Sequence, residues 1–198
     1  MMCSNIQNLI VKFIMKIKNG WLTEVKHIMS PHFDTRAHNQ VIRLLVIHNI
    51  SLPAGCFGDN YISQLFTGQL DCRAHPSFKS LFQLKVSAHC LIRRDGEIIQ
   101  YVSFNDRAWH AGVSQYKDDT SCNDFSIGIE LEGTDLIPYT KTQYQQLSKL
   151  SYVITKQYVE IKDNIVGHCD IAPERKTDPG IIFDWSLYKT MLNQQRNH

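Results

Sequence analysis

The pattern of apolar residues in the first half of the chain predicts β-structure. Residues 43–49 (RLLVIHN) form a nearly continuous aliphatic run, typical of a strand buried on both faces of a sheet, with His48 at its C-terminal end. Residues 86–102 contain two apolar segments around Asp95 and Gly96, a pair that favours a two-residue hairpin turn. We therefore predict a buried strand and, further along the chain, a β-hairpin.

Strands in the second half carry polar residues. Residues 124–131 (DFSIGIEL) predict a strand from which Glu130 projects. Gly128 within this strand indicates that another group packs closely against the backbone there. A short strand around residues 165–166 leads to His168. Ionisable side chains are therefore expected within or just after buried strands.

The clearest helix signal begins at Thr140. Thr140 and Gln143 form a capping-box pattern, and six apolar residues within 144–158 recur at helical spacing. Asp184 is expected to cap a closing helix that runs to about Leu192. Because strands and helices alternate, we predict an α/β fold: a single domain with a central mixed β-sheet flanked by α-helices.

Length and composition agree with one folded domain. The chain has 198 residues, of which 43% are hydrophobic and 20% charged. We assign the domain to residues 20–198 and residues 1–19 to an N-terminal extension. Two interpretations of the extension stay open: a short amphipathic helix, or an over-long reading of the gene with Met15 as the true start.

The extension does not predict export or membrane insertion. Lys12 interrupts its apolar stretch, no signal-peptide cleavage site follows, and the stretch is too short to span a bilayer. We therefore expect a cytoplasmic protein without a membrane partner.

Charge and cysteines narrow the class of partner further. The net charge is only +2 and no dense basic run is present, which argues against nucleic acid. The six cysteines are scattered and form no C-x-x-C pair, so we expect reduced thiols in a reducing compartment. We expect a monomer that binds a small-molecule substrate.

Three ionisable residues stand out because each lies at a predicted strand end or in the loop after one. They are His48, His168 and Asp178, and side chains at such positions can converge. A catalytic zinc ion takes three nitrogen or oxygen ligands and leaves a fourth position for water. The spacing is no local metal motif, and the alternative is a set of ordinary core and loop residues.

A hydrolytic zinc site also needs a carboxylate that handles the protons of water and a cation that stabilises an oxyanion. Glu130 is a candidate because an ionisable group in an apolar strand is costly unless it is paired or functional. The alternatives are that Glu130 faces solvent at a strand end, or that Glu132 takes the role. Lys176 is the candidate cation, and its alternative is a solvated loop lysine.

Several segments together resemble one family. They are VIHNISLPAGCFG, AHPSF, VSAHCLIRRDGEIIQYVSFNDRAWHAGVSQY, CNDFSIGIELEGTD and GHCDIAPERKTDPGIIFDW. These segments are similar to those of the zinc-dependent N-acetylmuramoyl-L-alanine amidases that act on 1,6-anhydro-muropeptides in bacterial cell-wall recycling. The resemblance runs from about Gly20 to Trp185 and implies hydrolysis of the amide between the lactyl group of (1,6-anhydro)-N-acetylmuramic acid and L-alanine of the stem peptide.

The resemblance also implies residue roles. It implies that zinc is held by His48, His168 and Asp178. It further implies that Glu130 transfers the protons of water and that Lys176 stabilises the tetrahedral oxyanion. These are the residues that the chemistry of the strand ends had already singled out.

Substrate-binding candidates lie in two places, after His48 and in a tryptophan-containing loop. They are Asn49, Trp109, His110 and Ala111. Trp109 offers a flat apolar surface for a sugar or lactyl face, and Asn49 directly follows a proposed ligand. The alternative for Trp109 is a core tryptophan.

Three positions depart from the family pattern. Ser77 stands where relatives often carry tyrosine, and Lys85 and Ser121 stand where arginine is common. Ser121 would remove a cation that could pair with a stem-peptide carboxylate. Two rival functions stay open: a muropeptide-binding module of this fold that does not cut, and a lytic amidase that acts on intact peptidoglycan.

Overall fold

The computed structural model describes residues 15–197. Most of the N-terminal extension, residues 1–14, lies outside this range. Met15 and Ile17, which belong to the extension, pack against the main hydrophobic cluster. The domain division at residue 20 and the choice of start codon stay predictions.

Short strands and four α-helices make up the described part of the chain. The strands are β1 (Ile17–Lys18), β2 (Trp21–Leu22), β3 (Lys26–His27), β4 (Phe33–Thr35), β5 (Leu44–Ile50), β6 (Cys90–Ile92), β7 (Ile98–Gln100), β8 (Asp106–Ala108), β9 (Gln115–Tyr116), β10 (Asp119–Thr120), β11 (Ser126–Glu132) and β12 (Ile165–Gly167). The α-helices are α1 (Tyr61–Phe66), α2 (Lys141–Gln157), α3 (His168–Ile171) and α4 (Trp185–Arg196), and 3-10 helices span Pro76–Ser80, Cys122–Asp124 and Val159–Ile161.

Six of the strands form a central sheet in the order β12-β5-β11-β6-β7-β3. β5 pairs in parallel with β12 on one side and with β11 on the other, and β11 pairs in parallel with β6. β6 and β7 form an antiparallel hairpin. The mixed sheet confirms the predicted α/β fold class.

One face of the sheet packs against α2 and α4. Leu45 and Ile47 of β5 and Ile127 and Ile129 of β11 are fully buried and join apolar residues of both helices in the main hydrophobic cluster. Burial of each such side chain contributes roughly 1.5–3 kcal/mol relative to exposure. The helix layer therefore holds these two strands firmly in place.

The opposite face is covered by loops, by α3 and by the 3-10 helix Cys122–Asp124. Leu44 and Val46 of β5 pack there in a small cluster with Ala111 and Ile171. Because side chains alternate along a strand, His48 belongs to the same face as Val46. The candidate site therefore lies on the side of the sheet away from α2 and α4.

The predicted helices are confirmed. The hydroxyl of Thr140 accepts a hydrogen bond from the N–H of Gln143, whose side chain accepts one from the N–H of Thr140, so the capping box is present at the start of α2. Asp184 accepts a hydrogen bond from the N–H of Leu187, which caps α4 as predicted. α4 ends at Arg196, beyond the expected end near Leu192.

The predicted hairpin is confirmed, but its turn differs. The N–H of Gly96 donates to the carbonyl oxygen of Arg93, so the central residues of the turn are Arg94 and Asp95. Gly96 follows with a φ of +92°, which glycine adopts without steric cost. The N–H of Arg93 also donates to the carbonyl oxygen of Glu97, so the loop contains three residues, 94–96, and the prediction of a two-residue turn is wrong.

The cysteines of the described range are free thiols. They are Cys56, Cys72, Cys90, Cys122 and Cys169, whereas Cys3 lies outside this range. None of the helices between residues 15 and 197 has the length and apolar content that a membrane crossing requires.

Candidate active site

The carboxyl ends of three neighbouring parallel strands carry candidate residues. His168 directly follows β12, His48 is the third-last residue of β5, and Glu130 is the register partner of His48 in β11. These three strands lie side by side in the sheet. Because parallel strands end at the same edge, residues that are distant in sequence meet there.

His48, His168 and Asp178 form a tight triangle of ligand atoms. Nδ1 of His48 lies 3.0 Å from Nδ1 of His168, and Oδ2 of Asp178 lies 3.0 Å from each of these nitrogens. The side chains of His48 and His168 are 1% and 3% exposed, and that of Asp178 is 13% exposed. The three residues that were expected to converge do so, and they can hold a metal ion.

Hydrogen bonds within the protein do not account for this triangle. Nε2 of His168 lies 3.0 Å from the carbonyl oxygen of Ala111, which can only accept, so Nε2 carries the proton of the neutral ring. Nδ1 of His168 therefore presents a lone pair to the carboxylate of Asp178. Two acceptors 3.0 Å apart repel each other unless a cation lies between them, so the donor set fits a metal ion.

Burial controls the protonation of the triangle. It lowers the pKa of His48 to about 4, although the nearby carboxylate of Asp178 acts in the opposite direction. Burial alone would raise the pKa of Asp178, but the close contacts of its carboxylate with the rings of His168 and His48 hold that pKa well below its usual range. At neutral pH the carboxylate is therefore ionised and His48 is neutral, which is the form in which both bind metals.

Asp135 connects the strand that carries His48 to the loop that carries Asp178. Its Oδ1 accepts a hydrogen bond from Nδ2 of Asn49 at 2.8 Å, and its Oδ2 accepts one from the hydroxyl of Thr177 at 2.5 Å. The sequence analysis does not identify this residue, because an aspartate in a Gly-Thr-Asp turn is typical of loops in general.

Glu130 is a buried carboxylic acid with an unpaired oxygen. Its side chain is 8% exposed, and Oε2 has no hydrogen-bond partner among the described residues. Burial raises the pKa of Glu130 well above its usual value, the charge of Asp178 raises it further, and the charge of Lys176 lowers it. The interpretation of Glu130 as a solvent-facing glutamate is therefore wrong.

Glu132, the alternative candidate, has a structural role. Its Oε1 accepts a hydrogen bond from the N–H of Gly58 at 2.8 Å, and its Oε2 accepts one from the N–H of Arg94 at 3.0 Å. Both carboxylate oxygens therefore anchor loops next to the sheet. This leaves Glu130 as the free carboxylate of β11.

Lys176 is half-buried. It borders a pocket of about 520 Å³ together with Asn49 and Asp178. Its positive charge lowers the pKa of both Glu130 and His48. A cation therefore lies close to the carboxylate and to the ligand triangle.

A larger groove, of about 1050 Å³, adjoins this pocket at Arg175, which borders both. Trp109 lines the groove and is half-buried, so it is not a core tryptophan. Its indole N–H donates to Oδ2 of Asp34 at 2.7 Å, and its ring stacks on His32 with centroids 6.0 Å apart. The indole is thus held in one orientation at the groove wall.

His110 and Ala111 direct their polar groups into the protein. The ring nitrogens of His110 lie 2.9 Å from Nε2 of His48 and 3.2 Å from Oγ of Ser126. The side chain of Ala111 is fully buried, and its carbonyl oxygen faces His168. These two residues therefore support the ligand triangle on the side opposite Asp178, and their contact with substrate stays a prediction.

Asn123 and Gly128 fix the backbone and the ring of this segment. Oδ1 of Asn123 accepts hydrogen bonds from the N–H of His110 at 3.1 Å and from the N–H of Ala111 at 2.8 Å. A Cβ on Gly128 would lie 2.5 Å from Nδ1 of His110, so a side chain there would displace the ring. The close approach that Gly128 predicted is confirmed, and the group that approaches is His110.

The three departures from the family pattern occupy different environments. Ser121 lines the large groove and has a φ of +59°. Ser77 lies in the 3-10 helix Pro76–Ser80, where its hydroxyl is 2.8 Å from Nδ1 of His75, and Lys85 is exposed. Of the three positions, Ser121 is the one that borders the large groove.

Comparisons with known proteins agree with this site. A family model described as N-acetylmuramoyl-L-alanine amidase matches residues 38–181. The 1,6-anhydro-N-acetylmuramyl-L-alanine amidase AmpD of Escherichia coli (strain K12) is 55% identical over 181 residues, which cover 91% of this chain and 99% of the relative.

Two solved structures show the same fold. The crystal structure of a selenomethionine derivative of AmpD matches with a TM-score of 0.88 and 56% identity, covering 90% of this chain and 99% of that one. The E. coli amidase AmiD, solved with the substrate anhydro-N-acetylmuramic acid-L-Ala-D-γ-Glu-L-Lys, matches with a TM-score of 0.58 and 27% identity over 90% of this chain and 65% of that one. Since the family match includes the residues of the ligand triangle, this chain belongs to the N-acetylmuramoyl-L-alanine amidase family.

Proposed function

We propose that this enzyme uses zinc to hydrolyse the amide bond between the lactyl group of 1,6-anhydro-N-acetylmuramic acid and L-alanine of the stem peptide. The observation that carries the proposal is the unpaired, buried carboxylate of Glu130 beside the ligand triangle. The names of the relatives AmpD and AmiD support the bond and the substrate class. We further propose that the enzyme acts as a monomer in cytoplasmic recycling of peptidoglycan fragments.

Zinc fits the triangle in ligand type and spacing. Two imidazoles and one carboxylate leave the fourth tetrahedral position open, as in catalytic zinc sites. Zinc bonds of about 2.0–2.1 Å place tetrahedral ligand atoms about 3.3 Å apart, and the three ligand atoms here are 3.0 Å apart. When bound, zinc would act as a Lewis acid that polarises the scissile carbonyl and lowers the pKa of water to about 7.

Glu130 is proposed to carry the proton during hydrolysis. Burial raises the pKa of Glu130, and a carboxyl group with a raised pKa can serve as both proton acceptor and proton donor in catalysis. Oε2 would accept a proton from the attacking water and deliver it to the alanine nitrogen as the C–N bond breaks. The products are the free lactyl carboxylic acid and the free amino group of the peptide.

Lys176 is proposed to stabilise the oxyanion. Its ammonium group borders the pocket that contains Asp178 and lies close enough to lower the pKa of Glu130. A positive charge held at this position is attracted more strongly by the oxyanion than by the neutral amide of the substrate. Asn49 and Trp109 line the pocket and the groove, and we propose that they contact the peptide and the sugar.

The proposal is tested by offering two substrates to the purified protein. Anhydro-muramyl-tripeptide and intact sacculi are each incubated with and without a chelator, and free peptide is measured. Release from the soluble substrate that stops with chelator and returns with zinc supports the proposal. Binding without release would identify a muropeptide-binding module, and comparable cleavage of sacculi would identify a lytic amidase.

A further inference from the structure

Two adjacent residues, His110 and Ala111, lie within hydrogen-bond distance of the Nε2 atoms of His48 and His168. We call these Nε2 atoms the outer nitrogens, because the Nδ1 atoms of both rings face Asp178. Nε2 of His48 lies 2.9 Å from Nδ1 of His110, and Nε2 of His168 lies 3.0 Å from the carbonyl oxygen of Ala111. The inner nitrogens of both rings are the ones that face Asp178. One dipeptide therefore contacts both rings on the side opposite the triangle.

The hydrogen-bond chain behind His48 has a defined direction. The hydroxyl of Ser126 donates to the carbonyl oxygen of Cys122 at 2.5 Å, because a carbonyl can only accept. Oγ of Ser126 then offers lone pairs to His110, so Nε2 of His110 carries the proton at 3.2 Å. Nδ1 of the neutral His110 ring is left as an acceptor, and Nε2–H of His48 donates to it.

The neutral form of His110 is the one that its surroundings favour. Within residues 15–197 no carboxylate is hydrogen-bonded to its ring, so no counter-charge stabilises a doubly protonated imidazole. The ring is pressed against the backbone at Gly128, and Asn123 binds the N–H groups of residues 110 and 111. The acceptor for His48 is therefore built into the fold.

We infer that His110 and Ala111 are positioning residues that set the tautomers of His48 and His168, so that both Nδ1 lone pairs point into the triangle. This inference rests on the proposed function, because it supposes that the triangle holds zinc. Ala111 acts through its backbone carbonyl, so side-chain substitutions address His110. Loss of an outer hydrogen bond to a metal-binding histidine typically weakens metal affinity by about 10- to 100-fold.

The test compares His110→Leu with His110→Asn in the full chain. Leucine removes the acceptor, whereas the side-chain oxygen of asparagine can accept in place of Nδ1. Zinc affinity is measured by competition with a chromogenic chelator. We expect weakening of about 10- to 100-fold for His110→Leu and recovery of most of that loss for His110→Asn. In the metal-free protein, ¹H–¹⁵N spectra should show the proton on Nε2 of His48, and His110→Leu should populate both tautomers.

Two further variants keep the test decisive if His110→Leu does not fold. Ser126→Ala removes the acceptor for Nε2–H of His110 and should weaken zinc binding less than His110→Leu does. His27→Leu, in β3 at the far edge of the sheet, is the control and should bind zinc like the wild type. Wild-type affinity in every folded His110 or Ser126 variant would overturn the inference, whereas a wild-type protein that binds no zinc would overturn the proposed function instead.

Discussion

Glu130 and His48 are register partners on the adjacent parallel strands β11 and β5. Side chains at paired positions project from the same face of a sheet, so the free carboxylate stands beside the ligand triangle without help from any loop. Both strands are buried against α2 and α4 on their other face. The relative position of the proposed proton carrier and the proposed metal ligand is therefore as rigid as the sheet itself.

Glu130→Gln should abolish turnover and keep the metal. The amide cannot accept a proton from water, so kcat should fall by about 10²- to 10⁴-fold, the usual contribution of general acid–base catalysis. Zinc content by atomic absorption should stay at the wild-type level. Glu132→Gln is the matched control on the same face of β11. It should keep kcat and lose about 1 kcal/mol of unfolding free energy, because one part-buried N–H loses its acceptor.

His168→Ala and Lys176→Ala should separate metal binding from catalysis. His168 contributes one corner of the triangle, so its loss should abolish zinc retention on dialysis. Lys176→Ala should retain zinc and reduce kcat by about 10²- to 10³-fold, as for removal of an oxyanion donor. Equal loss of zinc in both variants would show that Lys176 serves the metal and not the oxyanion.

Asp135→Ala should weaken zinc binding, although Asp135 is not one of the three proposed zinc ligands. Without this carboxylate, Asn49 and Thr177 lose a shared partner, and the loop that carries Asp178 is no longer tied to the end of β5. We expect zinc affinity to fall by about 10-fold. Asp163→Ala, which removes an exposed ion pair with Arg196, is the control and should leave zinc affinity unchanged. An unchanged affinity in Asp135→Ala would contradict the bridging role.

Sequence patterns identify the parts of this structure that depend on local chemistry. The aliphatic run before His48 and the Thr140–Gln143 capping box have short-range signals, and β5 and α2 form where expected. α1 has six residues and no side-chain cap, and α3 has four, so neither produces a recognisable period. Short helices of this kind are set by their tertiary surroundings.

The same distinction holds for the site residues: local patterns predict some of their features, and contacts between distant segments determine the others. Alternation places Glu130 and Glu132 on one face of β11, and only the positions of Gly58 and Arg94 determine which of them is free. The contact of His110 with His48 depends on the missing side chain of Gly128 in another strand. Such relationships join distant segments, so one sequence without coordinates cannot specify them.

Acid should destabilise the metal-free protein through His89. Burial lowers the pKa of this ring to about 3, and the charge of Arg36 adds to the effect. Between about pH 6.5 and pH 3 the ring is protonated in the unfolded chain and neutral in the folded chain. The free energy of unfolding therefore falls as pH decreases through this range, and the contribution of His89 to it is fully present above about pH 6.5.

This pH dependence is tested by measuring the free energy of unfolding in urea between pH 4.5 and 7, with chelator present to keep the protein free of metal. His89→Gln should reduce the slope of unfolding free energy against pH by about 1.4 kcal/mol per pH unit near pH 5. His48 and His110 also titrate below their ordinary values, so some slope should persist. Identical slopes in both proteins would mean that His89 is protonated in the folded state.

Removal of the metal should lower thermal stability. Zinc at about 100 times its dissociation constant adds about 2.7 kcal/mol to the folded state. For a chain of this size that corresponds to about 5–10 °C in Tm. Calorimetry with and without chelator measures the shift, and His168→Ala should show none. If the Tm of the wild-type protein is the same with and without chelator, the triangle binds no metal in solution.

The pairing of β11 with β5 also limits how this enzyme can diversify. Inserting or deleting one residue inside Ser126–Glu132 would turn Glu130 toward the helix layer and bring Ile129 or Leu131 to the metal side. Segments that border the groove, such as the one around Ser121, carry no such constraint. New substrate preferences should therefore arise by changing loop length and groove side chains, while the spacing within this strand must stay fixed.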